Sequence, residues 1–482
     1  MSFVSLCVRF WVVPKKAVFI FFLLAFLGAA LFVYFTFPRT KEEIPASNNQ
    51  RPFPSAPEPS PNTPNAPNGV PVPETVPHPN TPKVPPGPTL RVMAWASGAE
   101  ARRLEAEADA FAEATGRRAS LTIDGDEATY RRDLQQAIAS DSPPDLCLVN
   151  ARDYDGLDPN HDLADAPAQA DTPSRCAAAF GRGTSMKAVP DEFSVDVLFY
   201  NPGYFDQAGI GYPDRHWNWD ILEADARALA SQQMKDGAGR PVYPLELPAD
   251  FDLWNVLCTQ AGHPAMDLGV WHLSDTDTKE SEMRALDFIH EIFQELSVTA
   301  PLPKAGAAGQ LFAQQRAALL IAPSELAASL PSFPYAFTLL PQDMERASLA
   351  RINGWAITSK STEAEAARDL AVYLAYQPVH AGWTSVHEPA KDDSAGAICH
   401  EALEHAVIPQ IEPKSARLAL FLDQQINLLA RSAQQKTDEL YARIQTEYQG
   451  DMLPPPVAGS LPSAAGQKPS PKVDSGAQLR GL

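Results

Sequence analysis

Residues 194–229 read SVDVLFYNPGYFDQAGIGYPDRHWNWDILEADARAL, and the rest of the chain can be organised around them. Residues 195–200 are rich in Val, Leu and aromatics, with Asp196 among them, which predicts a strand. The strand breaks at Asn201-Pro202. Asn201 can cap and Pro202 can occupy the first helical position, so 203–208 predicts a short helix closed by Gly209 in the left-handed region. Asn218 then caps a longer helix in which Leu222, Ala226 and Leu229 share one face and Asp220 sits in the first turn.

This order of strand, short helix, aromatic loop and capped helix resembles the central block of family 1 of the extracellular solute-binding proteins of bacterial ABC importers. In that family a "DVLYYN…LF…AG…P…WTWDEFL" run marks the crossing into a second lobe. Upstream, VMAWASG (92–98), FAEATG (111–116) and SDSPPDLCLV (140–149) are similar to its "TVWHW…F…TG…G…PDVV" pattern. Downstream, LFAQQRAALLIAPSEL, FTLLP and INGWAITSKSTEAEAARDLAVYLA are similar to its "AAFASGKAAMYISGSW", "YGVAPLP" and "GGWGIAISKKSKNPEAAWEFLKFL" stretches. The resemblance spans about residues 89–449. It departs where Ala322-Pro323-Ser324 replaces a Gly-x-Trp whose aromatic often lines the pocket.

Alternation of elements gives the same class from the residues themselves. Strands at 90–95, 119–123 and 145–149 alternate with helices at 99–115, where Leu104, Ala108 and Phe111 share a face, and around Tyr130, Leu134 and Ile138. Such alternation implies an α/β fold with parallel, right-handed βαβ units, in which ligands bind beyond the carboxyl ends of the strands. Trp95 and Ser97 stand at one such end and Asn150 and Arg152 at another; Ser97 with Glu100 has the spacing of a capping box. The resemblance makes this a two-lobed Venus-flytrap fold, with crossings near Ser194 and Asn353, Gly354 as a hinge and lobes of independent core.

The chain carries 39 basic and 59 acidic residues, a formal charge of −20, which argues against nucleic acid and anionic membrane surfaces as partners. An uncharged or cationic solute fits better. Residues 17–37 form an unbroken apolar run long enough to cross a bilayer of roughly 30 Å. Arg9, Lys15 and Lys16 precede it, placing residues 1–16 in the cytoplasm and everything from Pro38 onward outside. A cleaved signal peptide, with Gly28 and Ala30 at the cut, is the competing reading. Proline recurs every two or three residues over 45–88, a stretch that extended reaches roughly 130 Å at about 3.1 Å per residue, so 38–88 reads as a spacer. Residues 450–482 read as a tail of the same character.

Enzymatic motifs are weak. CHEALEH (399–405) is not a zinc HExxH, because His400 and His405 lie five apart and point about 140° away from each other on a helix. No GxSxG, P-loop or GxGxxG occurs, and no cofactor or metal is expected. Cys147 and Cys258 fall on apolar faces and Cys176 and Cys399 in polar surroundings; no essential disulfide is expected.

A sugar needs flat aromatics for its C–H faces and Asp, Asn or Arg for its hydroxyls. The candidate ligand-binding set is Trp95, Ser97, Asn150, Arg152, Phe193, Asp196, Trp254, Ser324, Asn353 and Trp355. The resemblance implies a carbohydrate solute and ABC importer membrane subunits as partners. A membrane-tethered sensor or adaptor using the same fold is the alternative, and an exported polysaccharide hydrolase is a further rival without a catalytic motif.

Overall fold

The structure, a computed structural model, describes residues 89–157, 162–182, 185–273, 277–302 and 308–452. The apolar run at 17–37, the spacer and residues from 453 onward lie outside them. Among the described residues no helix is long and apolar enough to cross a membrane.

Ten strands form one mixed sheet: β1 (Leu90–Trp95), β2 (Ala119–Asp124), β3 (Leu146–Asn150), β4 (Ala188–Tyr200), β5 (Tyr243–Glu246), β6 (Ala317–Pro323), β7 (Ala336–Thr338), β8 (Ser348–Ile357), β9 (Thr384–Ser385) and β10 (Ala406–Val407). The main order is β2-β1-β3-β8-β4-β6-β5. β1 pairs parallel with β2 and β3, as alternation with helices requires, and β5 pairs parallel with β6. The junction between these two parallel regions is antiparallel, made by the long strands β4 and β8, with Arg351 opposite Ser194.

The helices follow the local signals. α1 (Ala99–Thr115) buries Leu104, Ala108 and Phe111 and ends at Gly116 with φ 76°. α2 (Glu127–Ile138) buries Tyr130, Leu134 and Ile138, and the Tyr130 hydroxyl donates to the Leu148 carbonyl, tying it to β3. Asn201 and Asn218 cap α3 (Pro202–Ala208) and α4 (Trp219–Ser231) by accepting from the Gly203 and Ile221 N–H groups. α5 (Phe251–Gln260) and α6 (Lys279–His290) pack in the second lobe; α7 (Ala364–Ala375) returns to the first. α8 (Ser394–Glu404), α9 (Ala416–Arg431) and α10 (Thr437–Met452) follow, α10 running into the first residues of the expected tail.

The lobes do not have fully independent cores. On one face of the sheet two separate apolar layers form, one around Val92, Leu104, Trp355 and Leu370, the other around Leu198, Trp254, Leu349 and Leu422. On the opposite face a single layer runs through the crossing, from Tyr130 and Leu134 through Phe193, Val195, Val197, Ala350 and Ile352 to Phe312 and Leu320. Cys399, Ala402 and Leu403 of α8 belong to this continuous layer, so α8 backs the crossing. Gly354 serves packing: a Cβ there would lie 2.8 Å from the Val189 carbonyl oxygen and 2.9 Å from the Phe180 ring.

Candidate functional site: the polar cleft floor

Alternation along β4 and β8 places the site. Phe193, Val195, Val197 and Phe199 point into the continuous layer, as do Ala350 and Ile352, so Ser194, Asp196, Arg351 and Asn353 point to the other face. That face is apolar at both ends and polar in between. The polar gap lies where the two lobes join, and its side chains are largely buried: Asn353 and Ser194 fully, Asp196 nearly so.

A β-bulge sets the phase. Asn353 pairs with Glu192 while its neighbour Gly354 pairs with Pro190, leaving Asp191 as the extra residue of β4. Ala188 and Phe193 therefore both belong to the continuous layer although an odd number of steps separates them. Between them Asp191 and Glu192 reach the same face. Asp191 accepts from Trp355 Nε1 (2.9 Å) and Glu192 from Asn353 Nδ2 (2.8 Å).

The first-lobe wall stands over these two acids. Asn353 accepts from Asn150 Nδ2 (2.9 Å), and Asn150 accepts from the Arg152 N–H (2.9 Å), so the end of β3 is hydrogen-bonded to the floor. The fully buried Glu192 also takes the backbone N–H of His380 and pairs with its Nδ1, each at 2.7 Å. The His380 ring stacks on the half-buried Trp95 (centroids 4.7 Å apart, planes at 14°). Burial alone would lower the His380 pKa, but Glu192, Glu100 and Asp191 outweigh it and raise it. Burial, reinforced by Glu192, pushes the Asp191 carboxyl well above its ordinary range.

Toward the second lobe the floor is ionic. Arg351 Nη1 donates to Asp196 Oδ1 (2.7 Å), and the Ser194 hydroxyl donates to the Glu325 carboxylate beside Ser324. Burial pushes Glu325 up to about 7 and raises Asp196, with Arg351 opposing both shifts. Burial also works against the charge on Arg351, yet Asp196, Glu325 and Asp252 together hold its pKa above the usual value. Over this floor Arg152, after β3, donates to both oxygens of Asp252 in the first turn of α5 (2.9 and 2.8 Å), an ion pair between the lobes. Asp250 caps α5; burial, reinforced by Asp252, pushes it up to about 7.

The expected residues divide. Trp95, Asn150, Arg152, Asp196, Ser324 and Asn353 lie on the floor or its walls. Phe193 does not: it is fully buried on the opposite face, its ring edge-on to His400. Trp254 is fully buried in the second lobe, its Nε1 donating to the Glu282 carbonyl. Trp355 is a first-lobe core residue held by Asp191. Ser97 is exposed, and no capping box forms: Gly98 is the N-cap, and Glu100 instead accepts from the Ala381 N–H. The sequence reading missed Glu192, Ser194, Arg351, Asp252, Glu325 and His380. Alternation of Glu192, Ser194 and Asp196 with Phe193 and Val195 was a legible signal for two of them, Glu192 and Ser194. All four described cysteines are buried and free, Cys176 and Cys399 included. Among the described residues no group of His, Cys, Asp or Glu is arranged to hold a metal ion.

Two α/β lobes are joined by long antiparallel strands, with a band of polar side chains at the junction. The chain belongs to the bacterial extracellular solute-binding proteins, whose family model matches residues 95–376. Among solved structures, the chain is similar to the cyclic α-maltosyl-1,6-maltose binding protein of Arthrobacter globiformis, with 16% identity and a TM-score of 0.63 over 76% of this chain and 99% of that one. It is also similar to the sugar-binding protein MalE of Xanthomonas citri, at 15% identity and TM-score 0.63 over 76% of this chain and 97% of that one. The maltotriose binding protein of Thermus thermophilus gives 14% identity and a TM-score of 0.58 over 75% and 99%. No curated protein matches the chain by sequence.

Proposed function

We propose that the protein captures a sugar or oligosaccharide outside the cytoplasm and delivers it to the membrane subunits of an ABC importer. The carrying observation is the polar gap between two apolar layers on one face of the sheet, over which Arg152 of one lobe meets Asp252 of the other. Sugar hydroxyls both donate and accept, and the floor offers the carboxylates of Asp196 and Glu325 beside the guanidinium of Arg351, with Asn150, Asn353, Ser194 and Ser324 close by. Trp95 supplies an aromatic surface at the first-lobe wall. The solved relatives named above are sugar binders, which supports the same class here. Closing the lobes over a solute would add contacts from both sides, and that difference in affinity would shift the population of closed molecules.

In this reading residues 17–37 anchor the protein, 38–88 hold the folded domain of 89–449 away from the membrane, and 450–482 are a tail. A thermal-shift series with maltotriose and other oligosaccharides tests the binding. A ligand at 100 times its Kd stabilises the native state by about 2.7 kcal/mol. No shift with any neutral or amino oligosaccharide would sink the carbohydrate reading. Release of the full-length protein from membranes by carbonate would remove the anchor.

A further inference from the structure

His380 has no place in the family resemblance drawn above, yet its backbone and its ring are both held by Glu192 and its ring is stacked on Trp95. It sits on the strap between α7 and β9, and the strap is fixed on three sides. Arg103 of α1 donates to the Val379 carbonyl, Glu100 of α1 accepts from the Ala381 N–H at 3.1 Å, and Glu192 of β4 takes both the N–H and the ring of His380. At Gly382 (φ 81°) the strap passes against the second lobe, where a Cβ would lie 2.4 Å from the Glu325 carbonyl oxygen. A small cavity bounded by Trp95, Arg103, Glu107, Asp191, Trp355 and His380 lies beneath it. The imidazole thus bridges two things: a buried carboxylate of the floor and one face of the aromatic ring at the wall.

We propose that His380 is a positioning residue of the solute site, holding the Trp95 indole in place through their stacked contact and tying solute affinity to its own protonation through Glu192. This rests on the reading of the cleft as a carbohydrate site. Protonated, His380 forms an ion pair with Glu192 and a cation–π contact with Trp95; neutral, it keeps only a hydrogen bond and a stack of two uncharged rings. The charged groups facing it are Glu100, Arg103 and Glu107 from α1 and Asp191 and Glu192 from β4, an acidic surplus that favours the protonated ring. Because the His380 pKa is raised, the protonated hold is complete below the ordinary histidine value and is lost as pH rises through the folded-state value.

The test is calorimetric titration of the full chain with maltotriose between about pH 6 and 9, on wild type, His380→Gln and His380→Ala, with Trp95→Phe as a control. Wild type should lose affinity several-fold across the range. His380→Gln, which can still hydrogen-bond to Glu192 without titrating, should show a profile clearly shallower than wild type, keeping only the contribution of the other titrating groups of the site such as Glu325, which burial holds at about 7. His380→Ala should bind about tenfold more weakly than wild type at the acid end while circular dichroism shows a native fold. A His380→Gln profile as steep as wild type, or a folded His380→Ala variant with wild-type affinity, overturns the proposal. If wild type binds neither maltotriose nor any oligosaccharide of the thermal-shift series, the carbohydrate reading falls, and the positioning role is decided on ligand-free protein by nuclear magnetic resonance. The Trp95 indole resonances should then shift with the midpoint of the His380 ring; resonances indifferent to pH overturn it.

Discussion

Replacing Arg351 by Met leaves Asp196 and Glu325 without the guanidinium that faces them. Removing one partner of a buried ion pair costs about 3–5 kcal/mol, whereas an exposed pair is worth about 0–1 kcal/mol. The Arg351 side chain is 26% exposed and that of Asp196 11%, so the pair lies nearer the buried limit. A loss of about 2–3 kcal/mol is expected at alkaline pH, where both carboxyls are charged. Acid should relieve it. Both carboxyls have folded-state pKa values above their ordinary range, Glu325 at about 7, and Arg351 holds each of them down. Without Arg351 they protonate more readily on folding, so the native state of the variant binds more protons than the unfolded chain and gains stability as pH falls. An additional rise of one pKa unit corresponds to about 1.4 kcal/mol, enough to reduce the deficit to roughly 1 kcal/mol near pH 5. Urea unfolding followed by tryptophan fluorescence at about pH 5 and 8 measures both numbers. A variant matching wild type at alkaline pH, or a deficit identical at the two pH values, would refute the argument that Arg351 compensates buried carboxylates.

Phe193→Ala and Trp254→Ala should each cost about 3–5 kcal/mol of stability while leaving the solute Kd of the folded fraction unchanged, because both rings are fully buried away from the cleft; weaker binding by the folded fraction would return either ring to the site. Gly354→Ala should cost about 1–3 kcal/mol through its clash with the Val189 carbonyl and the Phe180 ring, and Phe180→Leu in the same chain should recover part of it in thermal melts. Cys147, Cys176, Cys258 and Cys399 should react with a thiol reagent only after unfolding, and a reductant should leave the melting temperature unchanged; burial pushes Cys147 and Cys176 up to about 12, which suppresses their thiolates further.

Local rules carried much of the fold. The caps at Asn201 and Asn218, the left-handed closure at Gly209 and the buried faces of α1 and α2 all follow from neighbours within one helical turn. The capping box at Ser97 and Glu100 failed for a tertiary reason: Glu100 is engaged by the strap at Ala381, far along the chain. The tryptophans misled because an indole N–H needs a partner wherever it is buried, and Trp254 and Trp355 found theirs in the Glu282 carbonyl and the Asp191 carboxylate. Strand parity separates Phe193 from Asp196, since three steps apart on a regular strand means opposite faces. Arg351, Asp252 and His380 are recognisable as site groups only once β8, α5 and the strap are brought beside β4, and no local pattern encodes that proximity.

The extra residue at Asp191 fixes which way round the cleft is written in the chain. Side chains on a strand alternate strictly, so a one-residue deletion between Ala188 and Phe193 that kept the pairing of the first-lobe end of β4 would invert everything after it. Ser194 and Asp196 would turn into the greasy layer against α8, and Phe193, Val195 and Val197 would line the opening. A single codon in this segment is therefore the difference between a wet pocket and a dry one, which makes β4 intolerant of length change in a way that no single side chain of the site is.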